Sequence, residues 1–279
     1  MTASGTPLRF TKMSGGGNDF IVIDASEAAT IRDPEAFARL ACRRGSSVGA
    51  DGVLVVKFDE GGVLRLIHRN ADGGRSALCG NGTRCAARWA WDRDLGASPT
   101  VIETDAGPVR ATSLPGGGVR LRFPLRVDPP VLRGVTVGED RVQGYLVQVG
   151  VPHFLVRVPR VEDVDVAARG AAIRRAEPFR DAGVNVSFVA RRADGGLDIR
   201  TYERGVEAET LSCGTGCVAA GVMALASGWS TSAVSCHTRS GVVLSVRATP
   251  SADGYGDLEL AGDARRVYEG LLDPEALVP

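Results

Sequence analysis

Apolar and polar positions alternate along most of this chain, and the period of the pattern changes at a few places. Leu8 to Met13 reads as a strand, SGGGND as a glycine-rich turn and FIVID as a second strand. Asp33 before Pro34 has the form of an N-cap and first helical residue. Phe37, Leu40 and Ala41 then fall on one face, and Arg43, Arg44 and Gly45 mark the end. VGADGVLVV is a turn entering an apolar strand, and VLRLIHR alternates as a half-buried one. After Asn70 a glycine-rich segment leads to CGNG and the helix-like run TRCAARWAW. VIETDAGPVRATSL and GGGVRLRF have hairpin character, and Pro124, Pro129 and Pro130 suggest a linker.

The second half follows the same plan in weaker form. GYLVQVGVPHFLVRV is strand-like, VEDVDVAARGAAIRR reads as a helix, and NVSFVARR and GLDIRTYE read as strands. The segment after Glu203 runs into CGTG and the apolar helical stretch CVAAGVMALAS. CHTRSGVVLSVRAT and GYGDLELAGDARRVYEG close the chain with further strands. Two internal echoes join the halves: NDFIVID with NVSFVA, and CGNGTRCAARWA with CGTGCVAAGVMA. Such a duplication predicts an α+β protein of two similar lobes facing one another. The expected boundaries are 1–124 for the first lobe, joined by the C-terminal segment 265–279, and 125–264 for the second.

Composition narrows the chemistry. The 279 residues carry 33 basic and 33 acidic side chains, a balance with no electrostatic pull toward nucleic acid or an anionic membrane. No stretch approaches the ~20 apolar residues of a membrane span. The opening MTASGTPLRF lacks an apolar leader core, so a cytoplasmic protein with reduced cysteines is expected. Lys12 and Lys57 are the only lysines, which leaves few candidates for a pyridoxal phosphate Schiff base.

Both CG-x-G segments place a cysteine where a helix begins. The first N–H groups of a helix have no internal partner and that end is partially positive, which favours a thiolate, with pKa values in comparable settings of ~3.5–7.5. The N–H groups of Gly80, Asn81, Gly214 and Thr215 are then candidates to hold a carboxylate. Two such sites facing each other would present one sulfur to each face of an α-carbon, as a two-base inversion requires, with Cys79 and Cys213 as base and acid. Cys42, Cys85, Cys217 and Cys236 read as core residues. Zinc is the rival chemistry, but neither Cys79/Cys85 nor Cys213/Cys217 has C-x₂-C spacing, so no metal is expected. His68, His153 and His237 are available to a Cys-His hydrolase, though nothing local marks one. The SGGGN loop is a weak phosphate-binding signal that lacks a following Lys-Ser/Thr.

The segments KMSGGGNDF, GADGVL, NADGGRSALCGNGTRC, GVPHF, NVSFV and ERGVEAETLSCGTG resemble, in order, those of the diaminopimelate epimerases, and they span nearly the whole chain. The resemblance implies two pseudo-symmetric lobes, each a curved, mostly antiparallel sheet around a central helix, with the active site in the cleft between them. It implies conversion of LL-diaminopimelate to the meso isomer without a cofactor, on the route to lysine and peptidoglycan. It implies Cys79 and Cys213 as the catalytic pair and Asn18, Asn70 and Asn185 as substrate-binding asparagines. Glu203 and Arg204 would read the distal amino and carboxyl groups, and Gly80, Asn81, Gly214 and Thr215 would clamp the reacting carboxylate. An arginine fork suits a carboxylate and a glutamate an ammonium. His153 matches a family histidine with a structural or site-lining role. A small amino-acid substrate and a homodimer follow from the resemblance, the latter from nothing else in the sequence.

Three positions depart from the family pattern. Val151 stands where an asparagine is usual, Gly52 where glutamine is frequent, and the ERG segment carries VEA before Glu209-Thr210, one residue more than is common. They motivate an alternative, a related racemase acting on another amino acid. A non-catalytic binding protein of this fold would have lost a cysteine, and a carboxylate-base isomerase would not need two; both cysteines are present.

Overall fold

Gly16 and Gly17 both take positive φ, 61° and 93°. That backbone closes a two-residue hairpin without splaying its strands, and a side chain disfavours it. The glycine-rich turn therefore joins β1 (Leu8–Gly15) to β2 (Asn18–Asp24), with Gly15 opposite Asn18. The computed structural model describes residues 6–59 and 63–278; the start of MTASGTPLRF, expected to carry no leader, lies outside them. The chain forms two compact units, one made of the residues up to Leu121 and from Gly262 onward, the other of Arg122–Ala261. Both are α+β.

In the first lobe, a short helix α1 (Ala25–Ala28), capped by Asp24, precedes α2 (Pro34–Ala41). Asp33 caps α2 through the N–H groups of Glu35 and Ala36, and Pro34 opens it, as the sequence predicts. The chain then enters β3 (Gly52–Phe58), parallel to β2, and returns along β4 (Leu64–Asn70). Leu64, Leu66 and His68 of β4 are buried while Arg65 and Ile67 are exposed, the period of two read from VLRLIHR. The two-residue β5 (Arg75–Ser76) pairs with β4 before α3 (Gly80–Trp91). After α3, β6 (Thr100–Thr104) runs parallel to β4 and β7 (Gly107–Ser113) turns back on β6. The chain passes out of this unit along β8 (Val119–Phe123).

The second lobe repeats this plan strand for strand. A strand not foreseen in the sequence, β9 (Val131–Val137), follows the proline-rich segment and pairs with β10 (Asp140–Val149). The stretch GYLVQVGVPHFLVRV is not one strand. Gly150, at φ 67°, turns β10 into the antiparallel β11 (Val151–Arg157). Helix α4 (Val166–Arg175) crosses to β12 (Asn185–Arg191), parallel to β11, and β13 (Leu197–Glu203) is antiparallel to β12. The short β14 (Ala208–Thr210), α5 (Gly214–Ala226), β15 (Val234–Thr238) and β16 (Val243–Ser251) follow as β5, α3, β6 and β7 do in the first lobe. After β17 (Gly254–Gly262), β18 (Arg265–Leu272) pairs with β1, as β9 does with β10.

The topology corrects one echo. NDFIVID is β2, whose counterpart is β11, VPHFLVR; NVSFVA is β12, whose counterpart is β3. Register fixes the correspondence, since Phe20 pairs with Gly52 as His153 pairs with Asn185. Asn18 to Gly52 and Val151 to Asn185 both span 34 residues. Buried strands share one apolar pattern, so similarity of strands alone does not set the register. The echo of the two cysteine segments falls on equivalent helices.

Those helices are the cores of their lobes. Helix α3 touches β1, β2, β3, β4, β6, β7 and β18, and α5 touches β10, β11, β12, β13, β15 and β16, so each sheet curls about its helix. Small residues allow the approach. A Cβ at Gly82 would lie 3.1 Å from Leu54, and one at Gly221 2.6 Å from Val246. The outer layer is formed by α2, where Phe37, Leu40 and Ala41 pack with Leu8, Ile21, Ile23 and Leu272, and by α4, where Val166 and Ile173 pack with Phe154, Phe188 and Tyr202.

Candidate active site

Cys79 is the N-cap of α3 and Cys213 the N-cap of α5, with nearly the same backbone: φ −132°, ψ 110° and φ −127°, ψ 109°. The extended N-cap conformation turns each side chain toward the first turn of its helix. The Cys79 sulfur accepts the Gly82 N–H at 3.4 Å; the Cys213 sulfur lies 3.5 Å from the Thr215 hydroxyl. Gly80 and Gly214 are the first helical residues, and a Cβ at Gly214 would lie 3.1 Å from Leu260.

In the first lobe the structure brings Asn18 and Asn81 together, the Asn81 amide donating to Asn18 Oδ1 at 2.8 Å. Asn70 ends β4 opposite Gly52, exposed, its backbone held in a tight turn with Gly73 and Gly74. The glycine-rich SGGGN loop serves packing. A Cβ at Gly15 would lie 2.9 Å from the Cys85 sulfur and one at Gly16 2.5 Å from the Asn81 amide, so the loop is shaped to lie on the start of α3.

In the second lobe Asn185 opens β12, buried, and its Oδ1 accepts the Arg204 backbone N–H at 2.8 Å. The Arg204 guanidinium donates to the Ala182 carbonyl at 3.0 Å. Glu203 accepts from the Thr210 hydroxyl at 3.0 Å. Burial raises the Glu203 pKa and this hydrogen bond opposes the rise. In the turn between β13 and β14, Glu207 adopts φ 55° and its N–H closes onto the Glu203 carbonyl at 2.8 Å.

One expectation is corrected. Position at a helix N-terminus was expected to favour the thiolate, yet in Cys213 burial pushes the thiol up. The Glu203 charge adds to the rise, against weaker opposing effects of the Thr215 hydroxyl and Gly216 N–H. Desolvation of a sulfur anion thus works against the thiolate that the helix end favours. Cys42, Cys85, Cys217 and Cys236 are buried, no disulfide joins the six cysteines, and burial pushes the Cys42 and Cys85 thiols up, to about 12 for Cys42.

Several polar neighbours escaped the sequence reading. Thr210 holds Glu203, Asp51 and Arg84 hold Asn18 and Asn81, and Ser187 lies under the first turn of α5, bonded to Thr201 at 2.9 Å. All but Arg84 and Asp51 lie within strands or turns where Ser and Thr are unremarkable. Those two stand inside the quoted motifs without a role that spacing alone assigns.

The family model described as "Diaminopimelate epimerase" matches residues 10–119 and 145–253, which include both cysteine-capped helices. The diaminopimelate epimerase of Aquifex aeolicus (strain VF5) is 36% identical over 283 residues, covering 97% of this chain and 99% of that protein. The chain belongs to the diaminopimelate epimerase family. It is therefore an enzyme, an isomerase. The diaminopimelate epimerase of Hydrogenobaculum sp. (strain Y04AAS1) is likewise 36% identical, covering 96% of this chain and 99% of that protein. The fold extends beyond the family. A probable proline racemase from Agrobacterium radiobacter K84, solved with bound carbonate, superposes with a TM-score of 0.70 at 18% identity, covering 97% of this chain and 95% of its own. Gly52 has no room for a side chain: a Cβ there would lie 2.6 Å from the Arg69 carbonyl and 2.7 Å from His68 Nε2. The departure at Val151 falls on the position whose counterpart in the first lobe is Asn18.

Proposed function

We propose that this enzyme interconverts LL- and meso-diaminopimelate without a cofactor, Cys79 and Cys213 exchanging protons with opposite faces of one α-carbon. The observation that carries the reading is the pair of N-cap cysteines with matching backbone at the heads of two buried, duplicated helices. One sulfur, as thiolate, takes the α-proton; the other, as thiol, delivers its proton to the opposite face, and the two exchange roles. Negative charge on the carbanion flows into the adjacent carboxylate, where N–H groups of Gly80, Asn81, Gly214 and Thr215 stabilise it. Burial of Cys213 favours its thiol form, the state in which it can deliver a proton. Asn18, Asn70 and Asn185 bind polar groups of the substrate, Glu203 an ammonium and Arg204 a carboxylate.

Cofactor independence has support in the lysines. Lys12 is buried, ion-paired with Asp19 at 2.7 Å and bonded to the Gly49 carbonyl, and Lys57 is exposed on β3, so neither is placed as a Schiff-base nucleophile. A role in lysine and peptidoglycan supply, a cytoplasmic setting and a homodimer belong to the same proposal and rest on the family resemblance.

The test is α-proton exchange followed by NMR in deuterated water with both isomers and no added cofactor. Wild type is expected to incorporate deuterium and interconvert the isomers. Cys79→Ala and Cys213→Ala are each expected to lose interconversion by about 10²–10⁴-fold, the range for loss of a general acid or base. A second reading, the same chemistry on another amino acid, is favoured by Val151. Folded, reduced wild type that exchanges neither isomer but racemises another amino acid would replace the first reading with the second.

A further inference from the structure

A side-chain amide is nearly symmetric in shape, and its two ends differ in whether they donate or accept. In the first lobe two asparagine amides lie in a chain whose ends carry no such ambiguity. Arg84, fully buried, can only donate; its Nη2 reaches Asn81 Oδ1 at 2.7 Å and its Nε the Asp263 carbonyl at 3.1 Å. Asn81, its oxygen taken, donates from Nδ2 to Asn18 Oδ1 at 2.8 Å. Asn18 donates from Nδ2 to Asp51 Oδ2 at 2.8 Å. As a carboxylate Asp51 can only accept, and it also receives the Asp19 N–H at 3.2 Å and Arg44 Nη2 at 2.9 Å. Turning either amide over would set oxygen against oxygen at Asp51 or N–H against N–H at Arg84.

We propose that Arg84 and Asp51 are positioning residues that fix the direction of this chain, so that Asn18 meets the substrate with an N–H. The proposal rests on the reading that Asn18 contacts substrate. The Asn18 oxygen faces Asn81 and one of its N–H groups faces Asp51; the second N–H on the same nitrogen is what Asn18 turns to a ligand. Through that N–H Asn18 donates to an acceptor such as a carboxylate oxygen, while its own oxygen already accepts from Asn81. Gly16 belongs to the device: it leaves room for the Asn81 amide, and its N–H donates to Asp263 Oδ1 at 2.8 Å beside the Arg84 contact. The second lobe has no such chain, because the counterparts of Asn18, Asp51 and Asn81 are Val151, Val184 and Thr215.

Either unambiguous end is enough to hold the direction, which gives the proposal a signature that plain structural support lacks. Asp51→Asn or Arg84→Gln alone should raise KM for LL-diaminopimelate by less than about threefold. Together they should raise it about tenfold beyond the product of the single effects, with kcat within about threefold. Arg84→Lys keeps a donor-only end, so its combination with Asp51→Asn should match Asp51→Asn alone. Effects that simply multiply in the double variant would overturn the proposal. Neutron diffraction from the perdeuterated wild type decides independently of turnover and of whether Arg84→Gln folds. Deuterons of Asn18 Nδ2 should point at Asp51 and those of Asn81 Nδ2 at Asn18, and either amide found reversed refutes the mechanism. If diaminopimelate is not turned over, the function proposed above fails while the neutron map still judges this one.

Discussion

Single hydrogen bonds set the charge state on which the proposed chemistry depends. Glu203 is held in a setting that disfavours its carboxylate, and the Thr210 hydroxyl is what favours it. Without that donor its pKa should rise further, so the ionised form should appear only at higher pH. Thr210→Val keeps the shape and removes the donor. The acidic limb of kcat/KM should then move to higher pH, with a loss on that limb of about tenfold, the worth of a hydrogen bond to a charged group. Thr210→Ser should restore the wild-type profile, and a profile that does not move in Thr210→Val would remove Glu203 from the ionisations that limit the reaction. The pairing was not legible in the sequence, because Glu203 and Thr210 meet only through the β13–β14 turn. The cysteines were legible, because a capping position is a local feature that glycine and helical periodicity disclose on both sides. The effect of burial on the Cys213 thiol was not, because burial is a property of the folded lobe.

At the scale of elements, β4 and β11 each carry a buried histidine with no hydrogen-bond partner for either ring nitrogen among the described residues, His68 and His153. Burial lowers the pKa of His68 to about 4 and that of His153 to about 3, with the Arg204 charge adding to the second. Both rings are neutral in the folded state and bind protons readily once unfolded, near pH 6.5. Stability from this source is present in full above that value and is lost as pH falls, through pH 4 for His68 and further for His153. By pH 5 each should have cost about 2 kcal/mol. The fall in Tm from pH 7 to pH 5 should therefore be smaller in His68→Leu than in wild type; an equal fall would mean that the ring is solvated or partnered in solution. The strand holding His68 was read correctly from its alternation. What the alternation conceals is whether an inward histidine is satisfied, since that depends on Phe20, whose ring meets it edge-on at 5.7 Å, and on Gly52 of β3, where a Cβ would lie 2.7 Å from its Nε2. The hairpin at Gly150 was missed for a related reason: one glycine in a long apolar run reads equally as strand interior or turn.

At the scale of the molecule, duplication explains the architecture, and its breaking bears on the proposed chemistry. The lobes share strand order, crossover helices and capping cysteines, yet Asn70 is answered by Glu203, Gly52 by Asn185 and Asn18 by Val151. On the proposed reading, a substrate whose α-carbon bears a carboxylate, an ammonium and a side chain needs unlike polar groups around it, and these positions are where the lobes differ while their scaffold agrees. The same topology makes the first lobe depend on the end of the chain. Strand β18 covers β1, Leu272 and Leu277 fill a core with Leu8, Phe10 and Phe37, and Asp263 accepts from Gly16 and Arg84. Burial of the two leucines alone is worth about 1.5–3 kcal/mol each, and loss of the Asp263 contacts removes one partner of a buried guanidinium. Against a total stability of about 5–15 kcal/mol, a chain ending at Ala261 should not keep this lobe folded. Tryptophan fluorescence reads the lobe directly, since Trp89, bonded to Thr11 at 3.0 Å, and Trp91, bonded to Thr100 at 2.9 Å, lie in it while Trp229 lies in the other. In a Trp229→Phe background the truncated chain should show the red-shifted emission of solvated indole before any denaturant is added. Blue-shifted emission that persists with a cooperative unfolding transition would instead show that β1 closes the lobe without β18, and that the return of the chain is an ornament of the duplication rather than a condition for it.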